Sequence, residues 1–224
     1  YHPDKPFRKV CGGPNVADTN WTKKVLETCF AEPGGSASHG FMDLISIHYY
    51  VHPGSWENKG SATEFDREMF YQTMEKTLYT EDLLKMHGDI LDTYDPEKKI
   101  GFSFDEWGGW YECEPGTNPG FLYQQNTMRD ALIAGTTLNI FNRHCDRVKL
   151  ACLAQMINVI QSVILTDGEK MILTPTYHVF HMYKDHQDGE LLDSMILENE
   201  EAGTEQHPVP ALNESVSEKD GVIT

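Results

Sequence analysis

The sequence of 224 residues predicts a parallel α/β fold amounting to half of a strand-helix barrel, followed by the beginning of a β domain. Three observations carry this reading. Strand-like apolar runs alternate with helical stretches as far as about residue 187, giving four units. One of those runs, IGFSFDEWGGW at residues 100–110, stops at a carboxylate pair, which is how barrel enzymes present acids at a strand end. After Asp188 the composition turns acidic and small-polar, with Pro208 and Pro210, as at a domain change. The expected division is residues 1–187 for the partial barrel and 188–224 for a linker and the first strands of a sandwich.

The elements follow in order. Residues 7–11 read as a short strand ending at the Gly12-Gly13-Pro14 turn, and residues 21–30 as a helix capped by Asn20 or Thr22. MDLISIHYY, residues 42–50, is the second strand. Its helix runs over residues 65–94, with Phe70, Met74 and Leu78 at four-residue spacing, and ends at Asp95-Pro96. In the third strand Ile100, Phe102 and Phe104 alternate with smaller residues, and Gly108 and Gly109 break the pattern, so Asp105 and Glu106 are expected at the strand-to-loop junction. A loop over residues 112–120 leads to a helix over residues 121–141. The fourth strand begins near Val148. VKLACLAQMINVI is nearly all apolar, as in a strand buried on both faces, so Gln155 and Asn158 inside it need partners. Residues 174–183 form the last helix, with Pro175 in its first turn. In the tail, VPALNESVSEKDGVIT reads as a strand, a turn at Lys219-Asp220-Gly221 and the start of another strand.

Charge excludes some partners. Eighteen basic against 35 acidic residues give a net charge of −17, which repels nucleic acid and anionic membrane surfaces and tolerates a neutral substrate. The five cysteines, Cys11, Cys29, Cys113, Cys145 and Cys152, include no C-x-x-C pair, which points to reduced thiols rather than to a disulfide framework or a zinc site. The opening YHPDKPFRKV lacks the apolar core of a signal peptide, which fits a cytoplasmic protein, although a chain that opens on Tyr1 leaves room for sequence upstream. His144 stands beside Cys145 without a second ligand cluster, so a surface or helix-end histidine is expected and no metal or other cofactor.

Glu106 is the residue to explain. Trp107 and Trp110 flank it, and a carboxylate beside an aromatic ring suits a sugar site: the ring packs on the apolar face of the sugar while the acid does the chemistry. A merely solvated Asp-Glu pair is the alternative. No glycine-rich phosphate loop follows any strand, since Pro14 removes a donor from the nearest candidate.

The segments CGGPNVADTNWT, FMDLISIHYYVHPGSWENKGSATEFD, DEWGGWYECEPGTNPGFLYQQNTMRDALIAG and CDRVKLACLAQMINVIQSVILTDGEKMILTPTYHVFHMYKDHQ resemble the α-L-arabinofuranosidases of glycoside hydrolase family 51, and VPALNESVSEKDG resembles the entry into that family's C-terminal β-sandwich. The resemblance implies strands five to eight of a (β/α)8 barrel and a retaining enzyme that releases terminal arabinofuranosyl groups from arabinan, arabinoxylan or their oligosaccharides. It assigns Glu106 as nucleophile. It implies that Tyr50 donates a hydrogen bond to that nucleophile, that His48 lines the same floor, that Trp110 stacks on substrate and that Gln155 contacts sugar hydroxyls. Trp107 is expected to be structural, and the resemblance gives Asn158 no role. It also implies a homo-oligomer.

The departures matter as much. The family's general acid/base is the glutamate of an Asn-Glu motif ending the fourth barrel strand, and the only such pairs here, Asn199-Glu200 and Asn213-Glu214, lie in the acidic tail. The acid/base is therefore not expected in this chain. Without it, unactivated leaving groups go unprotonated. The competing expectation is a non-catalytic carbohydrate-binding or assembly element.

Overall fold

A computed structural model describes residues 7–30 and 41–224, so the first six residues of the opening segment lie outside it. Four strands form one sheet in the order β1 (Val10–Cys11), β2 (Leu44–Val51), β3 (Gly101–Gly109) and β4 (Val148–Leu153). Helices α1 (Thr19–Cys29), α2 (Arg67–Tyr94) and α3 (Met128–Arg143) follow the first three. β1 and β2 pair in parallel, Val10 opposite Leu44. The α/β alternation read from the sequence is thus present, element by element. The chain divides into two compact units, residues 1–49, 81–106 and 144–151 in one and residues 50–80, 107–143 and 152–224 in the other.

In the first unit the core is made by Leu26 and Phe30, by Leu44, Ile45 and Ile47, by Leu83, Leu84 and Leu91, and by Ile100, Phe102 and Phe104, all buried. Helix α1 begins earlier than expected. Asp18, not Asn20 or Thr22, is its cap, the carboxylate accepting from Trp21 N–H at 3.1 Å. Thr22 lies inside the helix and, with His87 neutral, donates to His87 Nδ1 at 2.9 Å, while His87 Nε2–H donates to the Val16 carbonyl at 2.7 Å. Burial lowers the His87 pKa, as a neutral ring serving both contacts requires. Asp95 ends α2 and is fully buried, and its carboxylate accepts from Lys99 and Ile100 N–H at 3.1 and 2.7 Å. Arg147 joins it there, donating to the Asp95 carboxylate at 2.6 Å and to the Ile100 carbonyl at 2.7 Å.

In the second unit three expectations need correction. The strand does not stop before Gly108: β3 runs to Gly109, because Gly108 takes φ +135 without a side-chain penalty and Gly109 N–H donates to Gln161 Oε1 at 2.6 Å. Helix α3 starts at Met128 rather than near 121, because a 3-10 turn at Pro119–Phe121 ends with Leu122 at φ +52, which no helix can continue through. Thr127 and Asp130 then make a capping box, Thr127 N–H to Asp130 Oδ2 at 2.7 Å. β4 ends at Leu153, and its residues 149–152 are exposed rather than buried on both faces, since it is the last strand of its sheet and has a neighbour on one side only.

Gln155 and Asn158 therefore lie beyond the strand, with the Ala154–Gln155 peptide cis. Asn158 locks a hairpin that the sequence reading lacks, β5 (Ile164–Asp167) with β6 (Lys170–Leu173). Its amide spans Thr166, accepting from the N–H at 2.8 Å and donating to the carbonyl at 3.1 Å. Helix α4 (Pro175–Tyr183) has Pro175 in its first turn as expected, while Thr174, read as its first residue, is its cap. The tail holds more than one hairpin. β7 (Glu190–Leu192), β10 (Val216–Lys219) and β11 (Val222–Ile223) form an antiparallel sheet, and β8 (Glu201–Gly203) pairs with β9 (Pro208–Pro210). The expected turn closes β10 onto β11, with Asp220 and Gly221 at φ +53 and +81, the left-handed pair a two-residue hairpin needs.

Candidate active site

Alternation along a strand sends Ser46 and His48 to one face of β2, and in the first unit that face meets the carboxylates of β3. Ser46 Oγ donates to Asp105 Oδ1 at 2.6 Å. His48 Nε2 stands 3.1 Å from the same oxygen, and its Nδ1 stands 3.6 Å from Glu106 Oε2. The imidazole thus lies between two carboxylates, anchored by one and facing the other. Only its doubly protonated form could donate towards both. The side chains of Glu106 and His48 remain 49% and 43% exposed, so a solute can reach them. Behind β2 the backbone is close: a Cβ built on Gly13 would fall 1.5 Å from the Ser46 carbonyl oxygen, and Asn15 makes a parallel bridge to His48.

The second unit holds the aromatic residues. Tyr50 and Trp110 meet edge to face with ring centroids 4.9 Å apart. Trp110 in turn meets Trp56 at 5.1 Å and 78°. Lys59 Nζ sits over both indoles, 4.5 Å from the Trp56 centroid and 5.1 Å from that of Trp110. Trp107 points the other way, buried against Phe141 and Phe180 at 5.4 and 6.0 Å. Gln155 is exposed on the wall of a cavity of about 1010 Å³ that Phe121, Tyr123 and Asn158 also line.

The buried amide is a different glutamine. Gln161, fully buried, accepts from Gly109 N–H and donates to the Asp130 carbonyl at 2.7 Å and to Thr176 Oγ1 at 3.1 Å, tying β3, α3 and α4 together. The sequence reading does not find it, nor Ser46, Trp56 or Lys59. Ser46 had a signal, its two-residue spacing from His48. Burial pushes the Asp130 carboxyl up to about 6. His144 follows the end of α3, and its Nε2 meets Glu81 Oε1 at 2.7 Å. Among the described residues no group of three or more His, Cys, Asp or Glu is arranged to hold a metal ion.

Residues 105–219 match the profile of the α-L-arabinofuranosidase C-terminal domain. An intracellular exo-α-L-arabinofuranosidase of Bacteroides ovatus is 44% identical over 216 residues, 96% of this chain and 40% of that protein. An intracellular exo-α-(1→5)-L-arabinofuranosidase of Streptomyces lividans is 29% identical over 167 residues, 70% of this chain and 24% of that protein. The crystal structure of the GH51 arabinofuranosidase from Xanthomonas axonopodis pv. citri superposes on the whole chain with a TM-score of 0.91 and 42% identity, covering 43% of that structure. The chain thus spans about two-fifths of the length of the Bacteroides relative and of the Xanthomonas structure.

Proposed function

The chain belongs to the α-L-arabinofuranosidases of glycoside hydrolase family 51, and from that premise we propose that it carries the nucleophile half of a retaining arabinofuranosidase site, with Glu106 as the nucleophile. The observation that carries this is the half-exposed Glu106 carboxylate on β3, beside a histidine that Asp105 anchors. In the proposed reaction a Glu106 oxygen bonds to the anomeric carbon of a terminal arabinofuranosyl group as the glycosidic carbon–oxygen bond breaks, and water later hydrolyses the glycosyl ester. A second carboxylate, roughly 5 to 5.5 Å from the first in retaining enzymes, must protonate the leaving oxygen and then activate that water. We assign that acid/base to no residue of this chain.

His48 holds the face that Glu106 shares. Taken one at a time, Tyr50, Trp110 and Gln155 are assigned to substrate binding, the first two through their rings and Gln155 through its amide. Arabinan, arabinoxylan and their oligosaccharides are the proposed substrates. No nucleic acid, membrane or cofactor is invoked. The proposed architecture is strands five to eight of a (β/α)8 barrel over residues 1–187 and the start of a β-sandwich over 188–224. Assembly as a homo-oligomer and a cytoplasmic location belong to the same proposal, the latter supported by relatives named as intracellular.

4-Nitrophenyl α-L-arabinofuranoside tests the nucleophile, because its leaving group departs without a general acid. Turnover that azide accelerates and that Glu106→Gln abolishes is the expected result. Turnover that survives Glu106→Gln rejects the assignment, and folded protein with no turnover in azide favours a binding or assembly element instead.

A further inference from the structure

Beside the first turn of α3 the second unit buries three polar side chains whose hydrogen-bonding capacity the chain itself only partly uses. Arg129 and Tyr111 are each 1% exposed, and Asp130 is wholly buried. Arg129 Nη2 donates to the Ser61 and Ala62 carbonyls at 3.0 and 3.2 Å, and Asp130 Oδ2 accepts from Thr127 N–H at 2.7 Å. Four atoms have no partner in the chain: Arg129 Nε and Nη1, Tyr111 Oη and Asp130 Oδ1. A buried donor or acceptor in that condition has lost its hydration without compensation, and native folds leave few of them. Four in three neighbouring side chains is a cluster.

The cluster has a common focus. A Cβ built on Gly109 would lie 3.1 Å from Tyr111 Oη and 3.3 Å from Asp130 Oδ1, so the two oxygens flank one point and stand no farther apart than about two hydrogen-bond lengths. Burial and the Asp130 charge push the Tyr111 hydroxyl well up while the Arg129 guanidinium holds it back, which places the third group beside it. The rings of Phe65 and Tyr111, each 3.9 Å from the guanidinium carbon, occupy its faces and leave Nε and Nη1 approachable along the edge.

The chemistry of these atoms defines what can join them. Arg129 offers donors alone and an ionised Asp130 acceptors alone, so an anion would be repelled by the carboxylate and a cation by the guanidinium. A small neutral molecule that both accepts and donates suits all three. We infer that a buried water molecule bridges Arg129, Tyr111 and Asp130, accepting from the guanidinium edge and donating to Asp130 Oδ1, with Tyr111 Oη as its third partner. Three bonds are about the usual complement of an internal water. Protonation of Asp130 reverses one bond and leaves the bridge standing, because the water then accepts from the carboxyl. The bridge links residues 61–62, through Arg129, and the chain just past β3, through Tyr111, to the start of α3.

A crystal structure of the chain that resolves ordered solvent tests this directly. A water is expected within hydrogen-bond reach of Asp130 Oδ1 and of at least one of the other two side chains. Direct contacts among the three groups, or no solvent density between them, overturn the inference. Tyr111→Phe tests it in solution, since it deletes one hydroxyl and keeps the ring. If that hydroxyl holds the water, urea titration of the variant should show an unfolding equilibrium constant raised roughly two- to tenfold, the loss of one satisfied buried bond. An unchanged or lowered constant overturns the bridge, because it would mean that the hydroxyl was buried unpaired. Glu106 belongs to the other unit, so none of these outcomes bears on the proposed nucleophile.

Discussion

Two arginines are buried almost completely, Arg147 in the first unit and Arg129 in the second, 4% and 1% exposed, and the protein accommodates them in opposite ways. Arg147 is saturated. It donates to the carboxylates of Asp92 and Asp95, to the Asp95 carbonyl at 2.7 Å and to the Ile100 carbonyl at 2.7 Å. Arg129 lies between two rings instead, its guanidinium carbon 3.9 Å from the centroids of both Phe65 and Tyr111. One nitrogen donates to the Ser61 and Ala62 carbonyls at 3.0 and 3.2 Å, while Nε and Nη1 make no hydrogen bond. Next to it Asp130 keeps one carboxylate oxygen without a partner. The first arrangement fixes a junction of strand and helix ends; the second carries a charge pair that responds to pH.

The largest expected effect comes from breaking the saturated site. Arg147→Met leaves Asp95, fully buried, without its cation, and should cost about 3–5 kcal/mol in a urea titration at neutral pH. A loss under 1 kcal/mol would mean that the network contributes little.

Asp130 comes next. Its carboxyl is held at about 6 against an ordinary 3.8. The folded form binds the proton more tightly than the unfolded chain, so this contribution to stability is complete below the ordinary value and is lost as pH rises through about 6. Asp130→Asn should remove a slope of on the order of 3 kcal/mol at most between pH 4 and 7.5. The comparison with wild type at the two pH values decides it, and parallel curves would refute the buried-acid reading.

The smallest effect is expected at Arg129. Arg129→Met loses two ring contacts and two carbonyl bonds but strands no fully ionised partner at low pH, so about 1–2 kcal/mol is expected at pH 5. The cost should grow at pH 7.5, where Asp130 loses the cation that favours its ionisation. If Arg129→Met costs as much as Arg147→Met at both pH values, the contrast between the two sites is wrong.

The comparison also indicates what a sequence can reveal. His48 and Tyr50 are legible because a strand repeats every two residues, a spacing that also points to the missed Ser46, and Asp105 and Glu106 because acids interrupt an apolar alternation. The helix spacing over residues 67–94 is equally plain. Gln161 is not legible: its three partners lie 15, 31 and 52 residues away, and nothing local distinguishes it from Gln155. The start of α3 depends on Leu122 adopting a left-handed conformation that leucine rarely takes, so its apolar run extends the helix too far. Asp167-Gly168 is a hairpin signal between two short apolar runs, yet the sequence reading assigns no element to residues 161–173. Trp56 and Lys59 lie in a loop, and the ring that both meet, Trp110, lies 54 positions beyond Trp56 in the sequence.

Gly13 gives the site a dependence that its reactive groups do not reveal. The carbonyl of Ser46 occupies the space where any other residue at position 13 would put its first side-chain atom, and the hydroxyl of that same serine steadies Asp105. The chain of support for Glu106 therefore begins with a missing carbon atom on the neighbouring strand's exit. A methyl group added there would act as a wedge, moving β2 and with it the anchor of His48, so the part of this surface least tolerant of change takes no part in chemistry.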